Sequence, residues 1–479
     1  MKRKRFLLGA WLLLITAVLA ACSGAAPEAE TVEVTRIAAE AEEATSAEEA
    51  VEKPVEEAAE AISDSPSATG SKGLGDEPPP PETGVKVKVT RTDTELALAE
   101  ASVVAEPEVV RAEADSSEPA RTADETAVVD LALDKNSRLT AGEVDDNAQW
   151  DDYVQYLRSY QGAAIIPVDV SQRHQIWVHD AQGNPVVGRS VTILAGDEVA
   201  AVLRTHSDGR IYFFPGAYAT PTDEFQVDVT TQTGIESLTI PAGSSQREWV
   251  VTLPEQTRAE ETVKLDILFL IDATGSMADE INQLKDNIQA ISARIDALPS
   301  QPDVRFGMVA YRDRGDQYVT QVTDFTPHVE DFANVLNQVQ ADGGGDYPED
   351  LNEALSQAVH EPEWRISGTV SLIFLVADAP PHLDYGQENH YAQEMLQASQ
   401  RGIKIYPIAS SGLDEQGEYI FRQLAQTTGG RFIFLTYGEE GPGSSGTETD
   451  FNVSDYSVSS LDDLVVQIVE EELEPLNRQ

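Results

Sequence analysis

The 479-residue chain carries a single cysteine, Cys22, so no internal disulfide can form. Positive charge is scarce: 33 Lys and Arg stand against 83 Asp and Glu, a formal net charge of −50. A surface that binds nucleic acid must be basic, and that class of partner is excluded. Acidic excess favours solubility and selects no particular partner. The His-Glu-x-x-His pair, the Gly-x-Ser-x-Gly elbow and the Walker phosphate loop are all absent, which removes the commonest hydrolytic and nucleotide-binding signatures. What is present is 41% hydrophobic residues, enough for a core if the polar part is segregated, and a length with room for about three domains.

The segregation is visible from the amino terminus. Residues 2–5 are basic and residues 6–21 apolar, a run too short for an ordinary spanning helix; together residues 1–21 read as a bacterial export signal. The ending Leu19-Ala20-Ala21-Cys22 resembles a lipobox, in which Cys22 is lipidated and becomes the first residue of a membrane-anchored protein. The alternative is a secreted protein cut by ordinary signal peptidase. Residues 22–135 are rich in Ala, Glu, Pro, Thr and Ser, with acids exceeding bases about three to one and few aromatics. Such a segment buries too little apolar surface to offset its ordering entropy, so a disordered acidic stalk is expected, with a root-mean-square reach of roughly 60 Å.

Residues 136–173 are expected to be a short helical connector. Trp150, Tyr153, Val154 and Leu157 recur at helical spacing, with Asp146 or Asn147 as the cap. Over residues 174–254 the period changes to two, and about seven short strands are separated by turn signals such as Asp208-Gly209 and Thr233-Gly234. That pattern suggests a small immunoglobulin-like β-sandwich. The segment from Asp180 to Val191 resembles carboxypeptidase-regulatory-like domains, which serve as spacers. No lysine occurs between His174 and Leu253, so a self-formed Lys-Asn crosslink within this module is excluded.

From residue 263 to 476 apolar strands alternate with amphipathic helices. Strands are expected at 267–271, 304–311, 318–325, 370–377, 403–408 and 431–436, and helices between them, ending with 461–473. Buried strands alternating with helices mean an α/β fold with a doubly wound, mostly parallel sheet. In such a sheet ligands bind at the carboxyl ends of strands, near the switch point.

Three loops lie at those ends. The first carries Asp272, Thr274 and Ser276 directly after the apolar run 267–271. Three oxygen-bearing side chains at alternate positions suit a hard cation, although Ser276 and Asp279 also fit a helix capping box. The second loop, 343–349, carries Asp346 and Glu349; the third places Asp378 after the strand 370–377. Glu349 after Pro348 also fits the acidic first turn of a helix. His382 reads as a partly exposed loop histidine, and Arg314-Gly315-Asp316 as a chance tripeptide in a short loop.

Asp272-Ala273-Thr274-Gly275-Ser276 resembles the metal-ion-dependent adhesion site of the von Willebrand factor type A family, whose pattern is Asp-x-Ser/Thr-x-Ser after a buried strand. The resemblance implies a Rossmann-like fold and a divalent cation, Mg²⁺ first, with Mn²⁺ or Ca²⁺ as alternatives. It assigns Asp272, Thr274, Ser276 and Asp378 as ligands. The family supplies a Thr from the second loop, and here there is none; Asp346 or Glu349 takes its place, directly or through water. The implied function is a lipid-anchored surface protein that recognises a protein or peptide through the cation, the partner offering a carboxylate. A structural scaffold with a merely stabilising metal is the second reading. A metal-dependent hydrolase is a remote third, since no general base accompanies the hydroxyls.

Overall fold

The computed structural model describes residues 139–218, 221–256, 262–438, 444–453 and 456–478. The expected export signal, Cys22 and the expected acidic stalk lie outside the described residues. Among the described residues no helix is long and apolar enough to cross a membrane.

Strand β1 (Thr140–Val144) is followed by helix α1 (Trp150–Ser159). The next seven strands are β2 (His174–His179), β3 (Ser190–Ala195), β4 (Glu198–Arg204), β5 (Arg210–Phe213), β6 (Glu224–Thr230), β7 (Ile235–Pro241) and β8 (Glu248–Thr252). A single turn, α2 (Pro215–Tyr218), follows β5. These strands form sheets ordered β5-β2-β8 and β4-β3-β6-β7. Alternation puts Ile176, Val191, Ile193, Phe213, Val227 and Trp249 into one core, the expected consequence of period-two sequence.

The rest of the chain runs β9 (Lys264–Asp272), α3 (Ala278–Asp296), β10 (Asp303–Tyr311), β11 (Thr320–Thr326), α4 (Val329–Leu336), α5 (Leu351–His360) and β12 (Thr369–Ala377). It continues with α6 (Tyr391–Arg401), β13 (Ile403–Ala409), α7 (Glu415–Thr428), β14 (Phe432–Thr436), β15 (Ser457–Ser460) and α8 (Leu461–Leu473). The sheet has eight strands in the order β11-β10-β9-β12-β13-β14-β1-β15. Its central pairs β10/β9, β9/β12, β12/β13 and β13/β14 are parallel. Strand β11 is the antiparallel edge against β10. β12 is buried at every position, and β9 at every position but Lys264, because helices cover both faces.

Two expectations are corrected. The stretch 136–173 is not only a helical connector: β1 enters the large sheet, antiparallel to both β14 and β15. Its residues, Thr-Ala-Gly-Glu-Val, give no apolar run because the sheet leaves β1 near its edge. Nor do Asp146 and Asn147 cap α1. The Asp145 carboxylate instead accepts the amides of Asn147 and Ala148 at 2.8 and 2.9 Å, while Asp146 is buried against Arg422, 2.6 Å away.

The sandwich packs at the amino ends of the parallel strands. Ser207 donates to Glu472 at 2.7 Å, and Glu472 also holds Lys404 and Tyr406 at 2.6 Å each. Burial works to raise the Glu472 carboxyl, yet Lys404, Tyr406 and Ser207 hold it below the ordinary range. Gly402, left-handed at φ 74°, lets the end of α6 approach Arg204 closely. With the sandwich at the amino ends, the carboxyl ends of β9 and β12 stay uncovered by it.

Candidate metal centre

At the switch point β9 and β12 lie side by side while their following helices diverge, opening a cleft of about 480 Å³ lined by Thr274, Ser276, Asp346, Glu349 and Asp378 among others. Asp272 is fully buried at the end of β9, behind Thr274 of that lining. Its Oδ1 accepts the Thr274 amide at 2.9 Å and the Thr274 hydroxyl at 2.7 Å. Its Oδ2 is buried without a hydrogen bond of good geometry, and the Tyr311 hydroxyl stands beside the carboxylate. The hydroxyls of Thr274 and Ser276 are 3.4 Å apart, and Ser276 contacts Asp378 from the other side.

The second and third loops are tied together through their backbones. Glu349 donates its amide to Pro380 at 3.1 Å, and His382 donates to the Glu349 carbonyl at 3.0 Å. This pins Glu349 beside the first loop. A Cβ placed on Gly344 would stand 2.9 Å from both Glu349 Oε1 and Thr274 Cβ, so the carboxylate and the threonine flank one point. Glu349 Oε2 is the second buried oxygen here without a partner.

Buried carboxylates without counter-charge hold protons. Burial pushes Asp272 up to about 7, Thr274 opposing and Asp378 reinforcing. Burial, with Asp272, Asp313, Asp316 and Asp378 nearby, pushes Glu349 up to about 9. Burial raises Asp378 as well. Among the described residues no Lys or Arg is ion-paired with Asp272, Glu349 or Asp378. Arg314 pairs with Asp350 at 3.0 Å, and Arg312 donates to the carbonyls of Ala273 and Gln340. Orphaned buried oxygens, hydroxyls and unneutralised carboxylates converging on one cleft fit a hard divalent cation.

The sequence profile described as "von Willebrand factor A domain" matches residues 266–437, the stretch that holds β9 through β14. Residues 266–437 are a von Willebrand factor A domain. Over this part the chain is 29% identical to the alpha-protein kinase vwkA of Dictyostelium discoideum across 178 residues, 37% of this chain and 27% of that one. It is 27% identical to mouse hemicentin-2 across 183 residues, 38% of this chain and 3% of that one. It is 35% identical to mouse von Willebrand factor A domain-containing protein 7 across 114 residues, 24% of this chain and 12% of that one. The chain thus spans about a quarter or less of the length of these relatives. A domains commonly bind a divalent metal.

Within the A domain, Thr274, Ser276, Glu349 and Asp378 line one cleft, and Asp272 lies behind Thr274. Asp346 lines the same cleft, but its carboxylate lies with Asp313 and His382. The bland alternatives for Ser276 and Glu349 are not what the chain adopts. A 3-10 turn (Gly275–Met277) precedes α3, whose cap position is Met277, with no side-chain capping bond, so the Ser276 hydroxyl is not consumed as a cap. Helix α5 is capped by Asp350, and Glu349 stands before it, outside the helix. His382, expected to be partly exposed, is 5% exposed, because Tyr385 stacks on its ring at 3.8 Å. The Arg314-Gly315-Asp316 tripeptide is not presented as a unit: Arg314 is held by Asp350, and Asp316 accepts the Gly344 amide at 3.0 Å. Asp313 and Arg312 gave no signal in sequence, since they fall in the charged run Arg312-Asp313-Arg314 of a short loop, which reads as a solvated turn.

Proposed function

We propose that the A domain binds a divalent cation through Asp272, Thr274, Ser276, Glu349 and Asp378, and uses it to capture a protein or peptide partner. The observation that carries this reading is Glu349 Oε2, buried and unpartnered in a residue that lines the open cleft, with the buried Asp272 carboxylate directly behind Thr274 of the same lining. Glu349, rather than Asp346, takes the place of the family's threonine, because it flanks the same point as Thr274. An oxygen-only donor set suits Mg²⁺, Mn²⁺ or Ca²⁺. Three carboxylates neutralise more of the cation's charge than a hydroxyl-rich shell does. The pull on a partner's carboxylate is correspondingly weaker, and Ca²⁺, which takes more oxygen ligands, is favoured relative to the usual pattern.

The chain's amino-terminal sequence supports an exported protein anchored to a bacterial membrane through lipid on Cys22. The acidic stretch 22–135 would act as a tether and the two-sheet module as an immunoglobulin-like spacer. No catalytic step is assigned.

The test is calorimetric titration of Mg²⁺, Mn²⁺ and Ca²⁺ into the chelator-stripped protein and its Asp272→Ala variant. One-site binding lost in the variant supports the cation site, and chelation should then abolish partner capture. Partner capture that survives chelation would make the cation a structural element only.

A further inference from the structure

A second group of donors converges next to the cleft, and the first site does not use it. Asp313 lies two residues beyond β10, Asp346 is on the loop before α5, and His382 is on the loop after β12. One ligand atom from each lies within 4.8 Å of the other two. Asp313 and His382 are buried, at 3% and 5% exposure, and Asp346 is exposed at the mouth.

The histidine is arranged as a ligand rather than as a packing residue. Its Nδ1 is 2.7 Å from Asp384 Oδ1, which assigns the proton to Nδ1 and leaves the Nε2 lone pair facing inward. Nε2 is buried and has no hydrogen-bond partner. It stands 3.8 Å from Asp313 Oδ1, too far for a hydrogen bond. Two ligands on a tetrahedral ion with bonds of about 2.1 Å are separated by about 3.4 Å, so an ion fits between them after a small side-chain movement. Asp313 is fixed as well: the Tyr385 hydroxyl donates to both of its oxygens, at 2.7 and 2.6 Å. A carboxylate behind the imidazole and a donor behind the carboxylate are the supports that metal ligands characteristically have. The nearby Arg314 guanidinium does not neutralise Asp313; it lies over the Tyr385 ring and binds Asp350.

We propose that Asp313, Asp346 and His382 hold a second divalent ion, of a first-row transition metal such as Co²⁺, Mn²⁺ or Zn²⁺ rather than Mg²⁺ or Ca²⁺. One imidazole nitrogen among carboxylates selects against the hard alkaline-earth ions. The ion would draw the exposed Asp346 inward and so fix the loop that also carries Glu349, coupling the two sites through the two intervening residues, Tyr347 and Pro348. The inference stands whether or not the first site binds a cation.

The experiment uses Co²⁺ with the full-length, chelator-stripped chain. Calorimetry should show a Co²⁺ site whose affinity falls at least tenfold in His382→Ala and is retained in Asp272→Asn, which removes the first site alone. Proton NMR of the Co²⁺-loaded wild type should show a hyperfine-shifted, exchangeable imidazole N–H, missing in His382→Ala; this readout needs no variant to fold. Absence of any shifted imidazole signal at Co²⁺ saturation overturns the proposal. So does an unchanged Co²⁺ affinity in a folded His382→Ala protein. Loss of Mg²⁺ binding in Asp272→Asn with Co²⁺ binding intact separates the two sites from each other.

Discussion

Asp272 accepts both the amide and the hydroxyl of Thr274 through one oxygen, Oδ1, at 2.9 and 2.7 Å, and leaves Oδ2 buried outside the turn, in a carboxylate that the Tyr311 hydroxyl also approaches. The turn is therefore built by one half of the carboxylate, and the other half is reserved. Asp272→Asn keeps an oxygen for the turn and removes the charge that burial penalises. Without metal, the variant is expected to unfold at a higher temperature than wild type at pH 8, where the wild-type carboxyl is ionised. Mg²⁺ at about 100 times its Kd should stabilise the wild type by about 2.7 kcal/mol and the variant not at all. Equal stabilisation of both proteins in a thermal-shift titration would remove Asp272 from the site.

Gly344 lies at φ 72°, and a Cβ there meets Glu349 and Thr274 at 2.9 Å. Both facts oppose any side chain. Gly344→Ala should cost about 1–2 kcal/mol from the left-handed backbone alone and weaken cation binding further by pushing Glu349 from Thr274. Gly345, beside which a Cβ meets nothing within 4 Å, is the control. Gly345→Ala should leave calorimetric affinity unchanged, and a matching loss in both variants would mean that general loop stiffness is responsible.

The carboxylates give the cation affinity a pH dependence. Asp272 rises from 3.8 to about 7 and Glu349 from 4.5 to about 9 on folding. Folded-state values above the unfolded ones mean stability that is fully present below about pH 4 and lost as pH climbs through 7 to 9. A bound cation replaces those protons. Affinity should therefore rise from pH 6 to pH 9, with roughly one to two protons released per ion near pH 7. Titration in two buffers of different ionisation enthalpy measures that release directly; buffer-independent heats would contradict it.

Much of this was legible in sequence because the decisive signals are local. The apolar run ending at Asp272 could only be a doubly buried strand, and Asp378 repeats that pattern after β12. Glu349 and Asp346 were indistinguishable, since both sit on one glycine-rich loop and only the backbone ties to Pro380 and His382 pick out Glu349. His382 looked exposed because its cover, Tyr385, comes from the same loop and packs by stacking rather than by periodicity. Strand β1 was missed for a different reason. Its partners, β14 and β15, lie about three hundred residues further along the chain, where Thr140 pairs with Thr436 and Ser460, and Thr-Ala-Gly-Glu-Val has no pattern of its own.

That misplaced strand leads to the last prediction. The A domain expected at 263–476 lacks β1, so a fragment starting at residue 263 would expose the edge of β14 and leave Arg422 without Asp146. Arg422 grips Asp146 with two bonds, at 3.0 and 2.6 Å, and lies 3.9 Å over the Tyr156 ring. Both charged groups are buried. Removing one partner of such a pair leaves the other charge without compensation, which costs about 3–5 kcal/mol. Arg422→Ala should show that loss in urea unfolding of the 139–479 protein, while Mg²⁺ affinity, set at the far end of the strands, stays within about twofold. The 263–479 fragment should be less stable still and self-associate through the bare β14 edge. A monomeric 263–479 fragment as stable as the 139–479 protein would show that β1 and α1 are appended to the A domain and not part of its fold.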